Sequence, residues 1–434
     1  MPPNDEIPVR ESKAPTRGLI RHPDFLKLWT AETVSQFGSQ ITALALPLVA
    51  ATILKVSPFE FGLLTTIEFL PFIFLSLPAG VWVDRLPRRP ILIIGDLGRA
   101  IALISIPIAF YFDVLSIWQL YAVGFITGCL TVFFDVAYQS YLPAIVNRDQ
   151  LVEGNSKLEI SRSAAQILGP GSAGILIGLL RAPFAILLDA LSFVFSAAFV
   201  FMIRRAEPPI VPHDLATGPK PSMRKEIVGG LRYVTGHQWL RSIAATTGTS
   251  NFFGNIGGSI LILFLVRDRG LTATHIGLAF SIGSIGVLLA ALVTSRLTAR
   301  FGVGRMLVAT SMGFSLSALP VAVAPVDFIF PAVALSGFLG GFCGVAWNIN
   351  QVSLRQAITP ARMQGRMNAT MRFIVWGTMP IGAIIGGTLG QLIGLHETIW
   401  VGALGSLIAF IPVALSPVRS IVTMPEPVDE APST

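Results

Sequence analysis

Residues 60–83 read EFGLLTTIEFLPFIFLSLPAGVWV, and residues 84–89 read DRLPRR. The first stretch is longer than the roughly 20 apolar residues that an α-helix needs to cross a bilayer. After its first residue it carries one charge, Glu68. The second stretch adds Arg85, Arg88 and Arg89. Together they predict a membrane-spanning helix that ends in a positively charged cytoplasmic loop.

Apolar runs of this kind, bounded by charged or Pro- and Gly-rich breaks, recur along the whole chain. Of the 434 residues, 53% are hydrophobic and 13% are charged. A soluble domain has about 25% charged residues, so lipid is the expected solvent. We predict an all-α membrane protein with twelve spans, over 29–54, 60–83, 90–112, 117–139, 157–180, 183–203, 239–265, 274–296, 305–325, 328–352, 367–392 and 397–416.

The formal net charge of +7 is explained by topology. With both termini in the cytoplasm, all but five of the 31 Lys and Arg lie on the cytoplasmic side. The exceptions are Lys55, Arg181, Arg267 and Arg269 outside, and Arg99 within a span. We therefore predict a multi-pass protein of the plasma (inner) membrane that contacts anionic lipid and has no nucleic-acid partner.

The two halves of the chain resemble each other. Trp29 opens span 1 as Trp239 opens span 7, and Gly62 matches Gly277 at the same place in spans 2 and 8. Duplication of a six-helix unit is the simplest explanation, and transporters use such parallel halves. We expect a tail over 1–28, bundles over 29–205 and 238–417, a linker with an amphipathic segment over 206–237, and a tail over 418–434.

The loop after span 2 reads Gly80, three residues, Asp84-Arg85, and then a basic cluster. This resembles the signature of the major facilitator superfamily, with Pro87 standing where the family commonly has Gly. The resemblance covers essentially the whole chain. It implies two pseudo-symmetric six-helix bundles that carry a small-molecule substrate by alternating access.

By the same resemblance, this loop is a conformational latch formed by Gly80, Asp84, Arg85, Arg88 and Arg89. Gly80 would let two helices approach closely, and Asp84 would face the positive N-terminal end of span 11. The alternative is a solvated basic loop that only sets topology.

Small residues in spans 5 and 11 predict helix packing. Gly169, Pro170 and Gly174 resemble the Gly-Pro motif of exporters in this superfamily. Span 11 carries Gly382, Gly386, Gly390 and Gly394 at four-residue spacing. Stretches such as 189–193 and 365–368 further resemble the branch that contains the enterobactin exporter and macrolide efflux pumps, which implies efflux of amphipathic compounds.

Ionisable residues inside spans are functional candidates because burying a charge in lipid is costly. Glu68, the deepest isolated acid, and Glu32 are candidate proton-coupling carboxylates, protons being the expected coupling ion. A neutral Glu68 hydrogen-bonded to a neighbouring helix is the alternative. Asp96 and Arg99 lie three residues apart on one helical face, so we predict an internal ion pair with Asp135 nearby.

Polar side chains that face lipid are costly unless they are satisfied, so those of spans 1 and 7 are expected to face inward. In the resembled superfamily, spans 1, 4, 7 and 10 line the central cavity. The candidate cavity residues are Ser35, Gln36, Ser39, Gln40, Asn251 and Asn255, with Phe134 and Trp347 as aromatic walls. Helix–helix contact is the alternative role for each of them.

The chain has no Gly-Lys-Ser or Gly-Lys-Thr phosphate loop, and its five histidines fall outside the span interiors. We therefore expect neither enzyme activity nor a cofactor or metal. Proton-coupled efflux of drug- or siderophore-type molecules is the favoured function. The alternatives are an uptake permease for a small solute and a non-transporting membrane sensor or scaffold on the same fold.

Overall fold

The structure is a computed structural model that describes residues 18–83, 85–147, 150–205, 207 and 223–425. These residues form helices joined by short turns. The α-helices are α1 (Pro23–Leu48), α2 (Pro58–Val83), α3 (Arg88–Tyr111), α4 (Ile117–Ile145), α5 (Leu151–Leu180), α6 (Ala182–Phe201), α7 (Met223–Gly236), α8 (Gln238–Gly258), α9 (Leu261–Arg267), α10 (Ala273–Phe301), α11 (Val303–Leu316), α12 (Leu319–Val323), α13 (Ile329–Ile358), α14 (Ala361–Leu392), α15 (Leu395–Ser406) and α16 (Ile411–Ala414).

Within the described part of the chain, twelve helical stretches are long and apolar enough to cross a membrane, which confirms the predicted number. Helices α1 to α6 are the first six. Pairs of shorter helices make up spans 7 (α8 and α9), 9 (α11 and α12) and 12 (α15 and α16). Helix α7 lies between the two sets of six.

Several helices extend well beyond their predicted spans, α5 and α13 among them. Helix α5 begins at Leu151 and α13 ends at Ile358, whereas the sequence predicted residues 157 and 352. A helix of 30 residues is about 45 Å long, and the hydrocarbon core is about 30 Å thick. The extra turns carry polar residues, so hydropathy predicts spans that are shorter than the helices.

The predicted domain boundaries also need correction. Leu19, Phe25 and Leu28 are fully or almost fully buried, so the first bundle begins before residue 29. Helix α1 starts at Pro23, where His22 accepts a hydrogen bond from the Phe25 amide at 3.1 Å. The second bundle continues past residue 417, because the amides of α11 at its start donate to the carbonyls of residues 421 and 422.

Helix packing repeats between the halves. In the first half α1 packs on α5 and α6, α2 on α4, and α3 on α4 and α6. In the second half α8 packs on α14 and α15, α10 on α13, and α11 on α13. The halves meet where α5 packs on α10 and where α2 packs on α14, which are equivalent pairs. This correspondence is what duplication of a six-helix unit predicts.

The apolar core differs between the two ends of the bundle. We call the end where α1 begins and α16 finishes the terminal end, and the other the distal end. At the distal end, buried residues of both halves form one continuous core, which includes Leu48, Leu64, Leu263 and Ile276. At the terminal end each half has its own separate core. The halves are therefore joined at the distal end and apart at the terminal end.

Glycines set the contact between the halves. A Cβ added at Gly277 of α10 would lie 2.8 Å from the Cα of Gly174 on α5, and one added at Gly62 of α2 would lie 2.7 Å from the Cα of Gly387 on α14. Hydrogen bonds accompany both contacts, for example from the Gly171 amide to the Ser281 hydroxyl at 2.7 Å. Helix backbones that approach this closely need glycine.

Candidate transport cavity

A polar cavity of about 1480 Å³ lies in the terminal half of the first bundle, between α1, α3, α4 and α5. Seven of the residues that the sequence singled out line it: Glu32, Ser35, Gln36, Ser39, Arg99, Phe134 and Asp135. The sequence analysis missed a second polar group on α4 and α5, which includes Thr131, Tyr138, Gln139, Glu159, Arg162 and Gln166. Tyr138, Gln139 and Glu159 lie just inside the ends of the predicted spans, and their positions alone do not show which of them face a cavity.

Glu32 is the most enclosed carboxylate of this cavity wall, with 8% of its surface exposed. Its Oε1 accepts a hydrogen bond from Nε2 of Gln36 at 2.6 Å, one turn along α1. Among the described residues its Oε2 has no hydrogen-bond partner, and neither has the buried hydroxyl of Tyr138 in the same wall. An enclosed carboxylate with an unpartnered oxygen is costly to keep charged, so a change in its surroundings can drive proton uptake or release.

Arg99 belongs to a buried charged cluster at the wall of this cavity. Its Nη2 donates to Asp96 Oδ1 at 2.5 Å, and its guanidinium lies 4.3 Å from the centre of the Phe134 ring and 4.1 Å from that of Phe193. Asp135 is exposed to the cavity on the next helix. The structure thus brings together Asp96 and Arg99 as a contact pair, with Asp135 near enough for its charge to interact with that of Arg99.

Asp189 of α6 is a further buried acid, with 1% of its surface exposed. It accepts hydrogen bonds from the hydroxyls of Thr42 on α1 and Ser192 on its own helix. These bonds tie α6 to α1 and satisfy the carboxylate, which supports a packing role.

A second cavity of about 330 Å³ lies in the terminal half of the second bundle, between α8, α11, α13 and α14. Two residues predicted from the sequence to line a cavity, Asn251 and Trp347, line this one. The indole N–H of Trp347 donates to Thr247 Oγ1 at 3.2 Å. Arg355, Arg372 and Trp376 also line it, and the sequence analysis did not single them out. Arg355 lies three residues beyond the predicted end of span 10, so the hydropathy pattern assigns it to a loop.

Two predicted cavity residues pack between helices instead. A Cβ added at Gly169 of α5 would collide with the side chain of Gln40, and one added at Gly382 of α14 would lie 3.0 Å from Cβ of Asn255. Asn255 also donates to the Asn251 carbonyl at 2.9 Å. Gln40 and Asn255 thus pack against glycines of α5 and α14 in their own halves, and neither lines either of these two cavities.

The structure changes the order of the two proton-coupling candidates. Glu68 lies against α4, with its Cγ 3.1 Å from where a Cβ of Gly124 would be, and it lines none of the described cavities. Glu32, the other candidate, is buried in the cavity wall. Depth along a span did not reveal which helical face meets the cavity.

The basic loop after α2 contacts its own half. The amides of Arg88 and Arg89 donate to the carboxylate of Glu207 at 2.8 and 2.7 Å, and the Arg89 guanidinium lies over the ring of Phe201 at the end of α6. Arg85 is exposed, and Asp84 lies outside the described residues.

Gly80 does not make the predicted close approach. A Cβ added there would meet no described atom within 4 Å. The reason is that α2 and α14 cross near Gly62, toward the distal end, and are apart at the terminal end in this conformation.

The predicted packing glycines do lie at helix contacts. Gly174 packs against α10, and the carbonyl of Pro170 packs against Gly277 of the same helix. Gly382 and Gly386 pack against α8. Gly390 lies beside Pro58 of α2. Gly394, the last of the predicted ridge, is instead the turn residue before α15, with a φ of 103°.

Comparison with known proteins agrees with this geometry. The family model described as transmembrane secretion effector matches residues 14–432. The chain is 27% identical over 395 residues to the multidrug efflux pump Tap of Mycolicibacterium fortuitum, covering 87% of this chain and 91% of Tap. It is 24% identical to macrolide efflux protein A of Streptococcus pyogenes (92% and 96% covered) and 21% identical to the enterobactin exporter EntS of Salmonella typhimurium (86% and 87% covered).

Solved structures show the same fold at lower identity. A bacterial homologue of the iron transporter ferroportin, crystallised in an inward-facing state, superposes with a TM-score of 0.72 at 17% identity, covering 92% of this chain and 99% of the homologue. A mutant of the nucleoside transporter NupG superposes with a TM-score of 0.73 at 14% identity, covering 91% and 99%. The chain is therefore a twelve-span transporter rather than an enzyme, and it belongs to the transmembrane secretion effector family of the major facilitator superfamily.

Proposed function

We propose that this protein exports amphipathic small molecules from the cytoplasm across the plasma membrane in exchange for protons. The observation that carries the proposal is the pair of polar cavities at the terminal end, one in each half, between halves that share a closed core at the distal end. A cargo that enters from the terminal end meets both cavities and cannot leave through the distal end until the halves rearrange.

Charge supports the cytoplasmic assignment of the terminal end. Arg85, Arg88, Arg89, Arg204 and Arg205 all lie at the ends of α2, α3 and α6 on that side. Positively charged loops stay inside the cell, so the terminal end, with both chain termini, faces the cytoplasm.

Glu32 is the residue that we assign to proton coupling. It is the buried cavity carboxylate with a free oxygen, and Gln36 holds its other oxygen in place. A proton that enters from outside neutralises Glu32. When the cavity opens to the cytoplasm and cargo binds, the proton leaves. Buried carboxyl groups suit this task because the cost of burying the charge makes protonation sensitive to surroundings.

The halves pivot about their glycine contacts. Gly174 with Gly277, and Gly62 with Gly387, are places where two backbones touch with no side chain between them. When the terminal ends approach, the loop after α2 comes to the start of α14, and Asp84 and its neighbouring arginines act as the latch that holds that state. Such rocking of one repeat against the other is how duplicated transporters alternate access.

Export is favoured over uptake by two features. The Gly-Pro motif of α5 lies at the contact with α10, as expected for an exporter motif that shapes the pivot. The relatives named Tap, macrolide efflux protein A and EntS are efflux proteins or exporters by name.

Everted membrane vesicles test the proposal. Vesicles from cells that produce the protein, acidified inside, should accumulate ethidium, erythromycin or an aromatic carboxylate, and collapse of the pH gradient should release it. Accumulation in right-side-out vesicles instead would favour the uptake permease. Absence of transport in both orientations for every probe, with folded protein present, would favour the sensor or scaffold.

A further inference from the structure

We infer that Arg355 of α13 and Arg372 of α14 form an anion-binding site in the second cavity, so that the cargo carries an anionic oxygen group, such as a carboxylate, next to an aromatic ring. This inference rests on the proposed function, which holds that the cavity binds a transported molecule. It narrows the class of that molecule to aromatic anions.

Both arginines line the second cavity, and neutral amides orient Arg355. Arg355 donates from Nη2 to Asn368 Oδ1 at 2.8 Å and from Nη1 to Gln351 Oε1 at 2.9 Å. Asn368 and Arg372 are four residues apart on one face of α14. Both guanidiniums therefore reach the same cavity, and both line it.

Their positive charges are not balanced by any carboxylate that the structure describes. The lining of the second cavity contains two arginines and no Asp or Glu, and neither guanidinium has a described carboxylate within 4.0 Å. The partners of Arg355 are neutral amides, which accept hydrogen bonds from its N–H groups but do not neutralise its positive charge. Its buried Nε has no partner among the described residues. The uncompensated charge of the partly buried Arg355 is costly, and an anion supplied by the cargo would offset that cost.

Aromatic side chains stand beside the charges. The Arg372 guanidinium lies 4.6 Å from the centre of the Trp376 ring, and Trp347 and Phe314 line the same cavity. A planar guanidinium binds a carboxylate through two parallel hydrogen bonds, and the indoles supply stacking surface for a ring attached to it. The combination selects an aromatic anion over a neutral ring of the same shape.

The first cavity has the opposite character. Its lining includes Glu32, Asp135 and Glu159, against Arg99 and Arg162, and Arg99 is already paired with Asp96. An anionic group would be repelled there and attracted to the second cavity. The charge difference between the halves therefore orients the cargo, with its acidic end toward α13 and α14.

A matched pair of probes tests the site without requiring transport. Naphthalene-2-carboxylate and naphthalene-2-carboxamide have the same shape and differ in charge. Binding is measured by titration calorimetry on the full-length protein in nanodiscs of zwitterionic lipid. We expect the carboxylate to bind at least about tenfold more tightly, the size expected of a charge-assisted hydrogen bond.

Substitution then assigns the preference to the two arginines. Arg372→Gln should reduce the carboxylate preference to about twofold or less, because it removes the exposed partner of the proposed pair. Arg355→Gln should act likewise. Since Arg355 bridges two helices, Arg372→Gln carries the test if Arg355→Gln does not fold. Arg241→Gln, which removes an exposed cation of α8 outside both cavities, is the matched control and should keep the full preference.

Equal binding of the two probes to the wild type, or a preference that survives Arg372→Gln, would overturn the inference. A lipid headgroup is the competing source of anionic oxygen. Nanodiscs that contain phosphatidylglycerol should leave the probe preference intact, and loss of the preference there would assign the site to lipid and overturn the inference. Failure of gradient-driven transport with the preference intact would count against the proposed function alone.

Discussion

Gln36 holds one oxygen of Glu32 at 2.6 Å from one turn further along α1, and the other oxygen of Glu32 has no partner among the described residues. This arrangement orients a buried carboxylate and leaves it one free position at the cavity wall. Glu32 also differs from Asp96, which is paired with Arg99, and from Asp189, which is bound by two hydroxyl groups, because Glu32 lines the cavity and they do not.

Replacing Glu32 with Gln should abolish gradient-driven accumulation and leave cargo exchange across the membrane intact, because Gln keeps the shape and hydrogen bonding of the carboxylic acid but cannot release a proton. Uptake of labelled cargo into vesicles preloaded with unlabelled cargo measures exchange. Glu68→Gln is the control, and it should retain driven accumulation because Glu68 lies outside the described cavities. The reverse outcome, loss in the Glu68 variant alone, would place coupling on α2.

Replacing Gly277 with Val should slow transport and destabilise the protein by about 1–3 kcal/mol, as overpacking does. The added side chain would collide with the Pro170 carbonyl and the Gly174 backbone at the contact of α10 with α5. Thermal unfolding in detergent and the initial rate of transport are the readouts. Gly254→Val is the matched control, because a Cβ at this helical glycine meets no described atom within 4 Å. If both variants behave alike, the contact is not a pivot.

Replacing Arg99 with Gln should destabilise the protein by about 3–5 kcal/mol, because it leaves the buried Asp96 charge without its partner. The double variant Arg99→Gln with Asp96→Asn should recover much of that loss, since the uncompensated charge is then gone. Unfolding in detergent measures both. Lys157→Gln breaks the partly exposed pair with Glu153 and should cost less than about 1 kcal/mol. A double variant no more stable than the single one would show that the pair is not the source of the effect.

The sequence was sufficient for the helices and their duplication because lipid imposes a simple rule. A span must be long and apolar, and small residues must stand where backbones cross. Gly62 and Gly277, noted only as marks of the repeat, proved to be the contact points of the two halves.

The cavity was harder to predict because it depends both on which helical face turns inward and on how far along that face the cavity extends. Gln36 and Gln40 are one turn apart, yet Gln36 lines the cavity and Gln40 packs on Gly169. Arg355 was missed because α13 continues past its apolar stretch. Hydropathy detects the residues that contact lipid. Polar residues at the end of a long helix that face a cavity therefore have the hydropathy of a loop.

The central claim, that the two halves pivot under control of Glu32, is tested most directly by distances between spin labels. In a background without Cys129 and Cys343, one label pair at Ser156 and Ser295 reports the terminal ends of α5 and α10, and another at Leu179 and Thr272 reports their distal side. A change of pH should shorten one distance distribution and lengthen the other in the wild type. Glu32→Gln should remain in one state at every pH. Distances that stay fixed, or that change together, or that respond to pH equally in the Glu32 variant, would contradict the account.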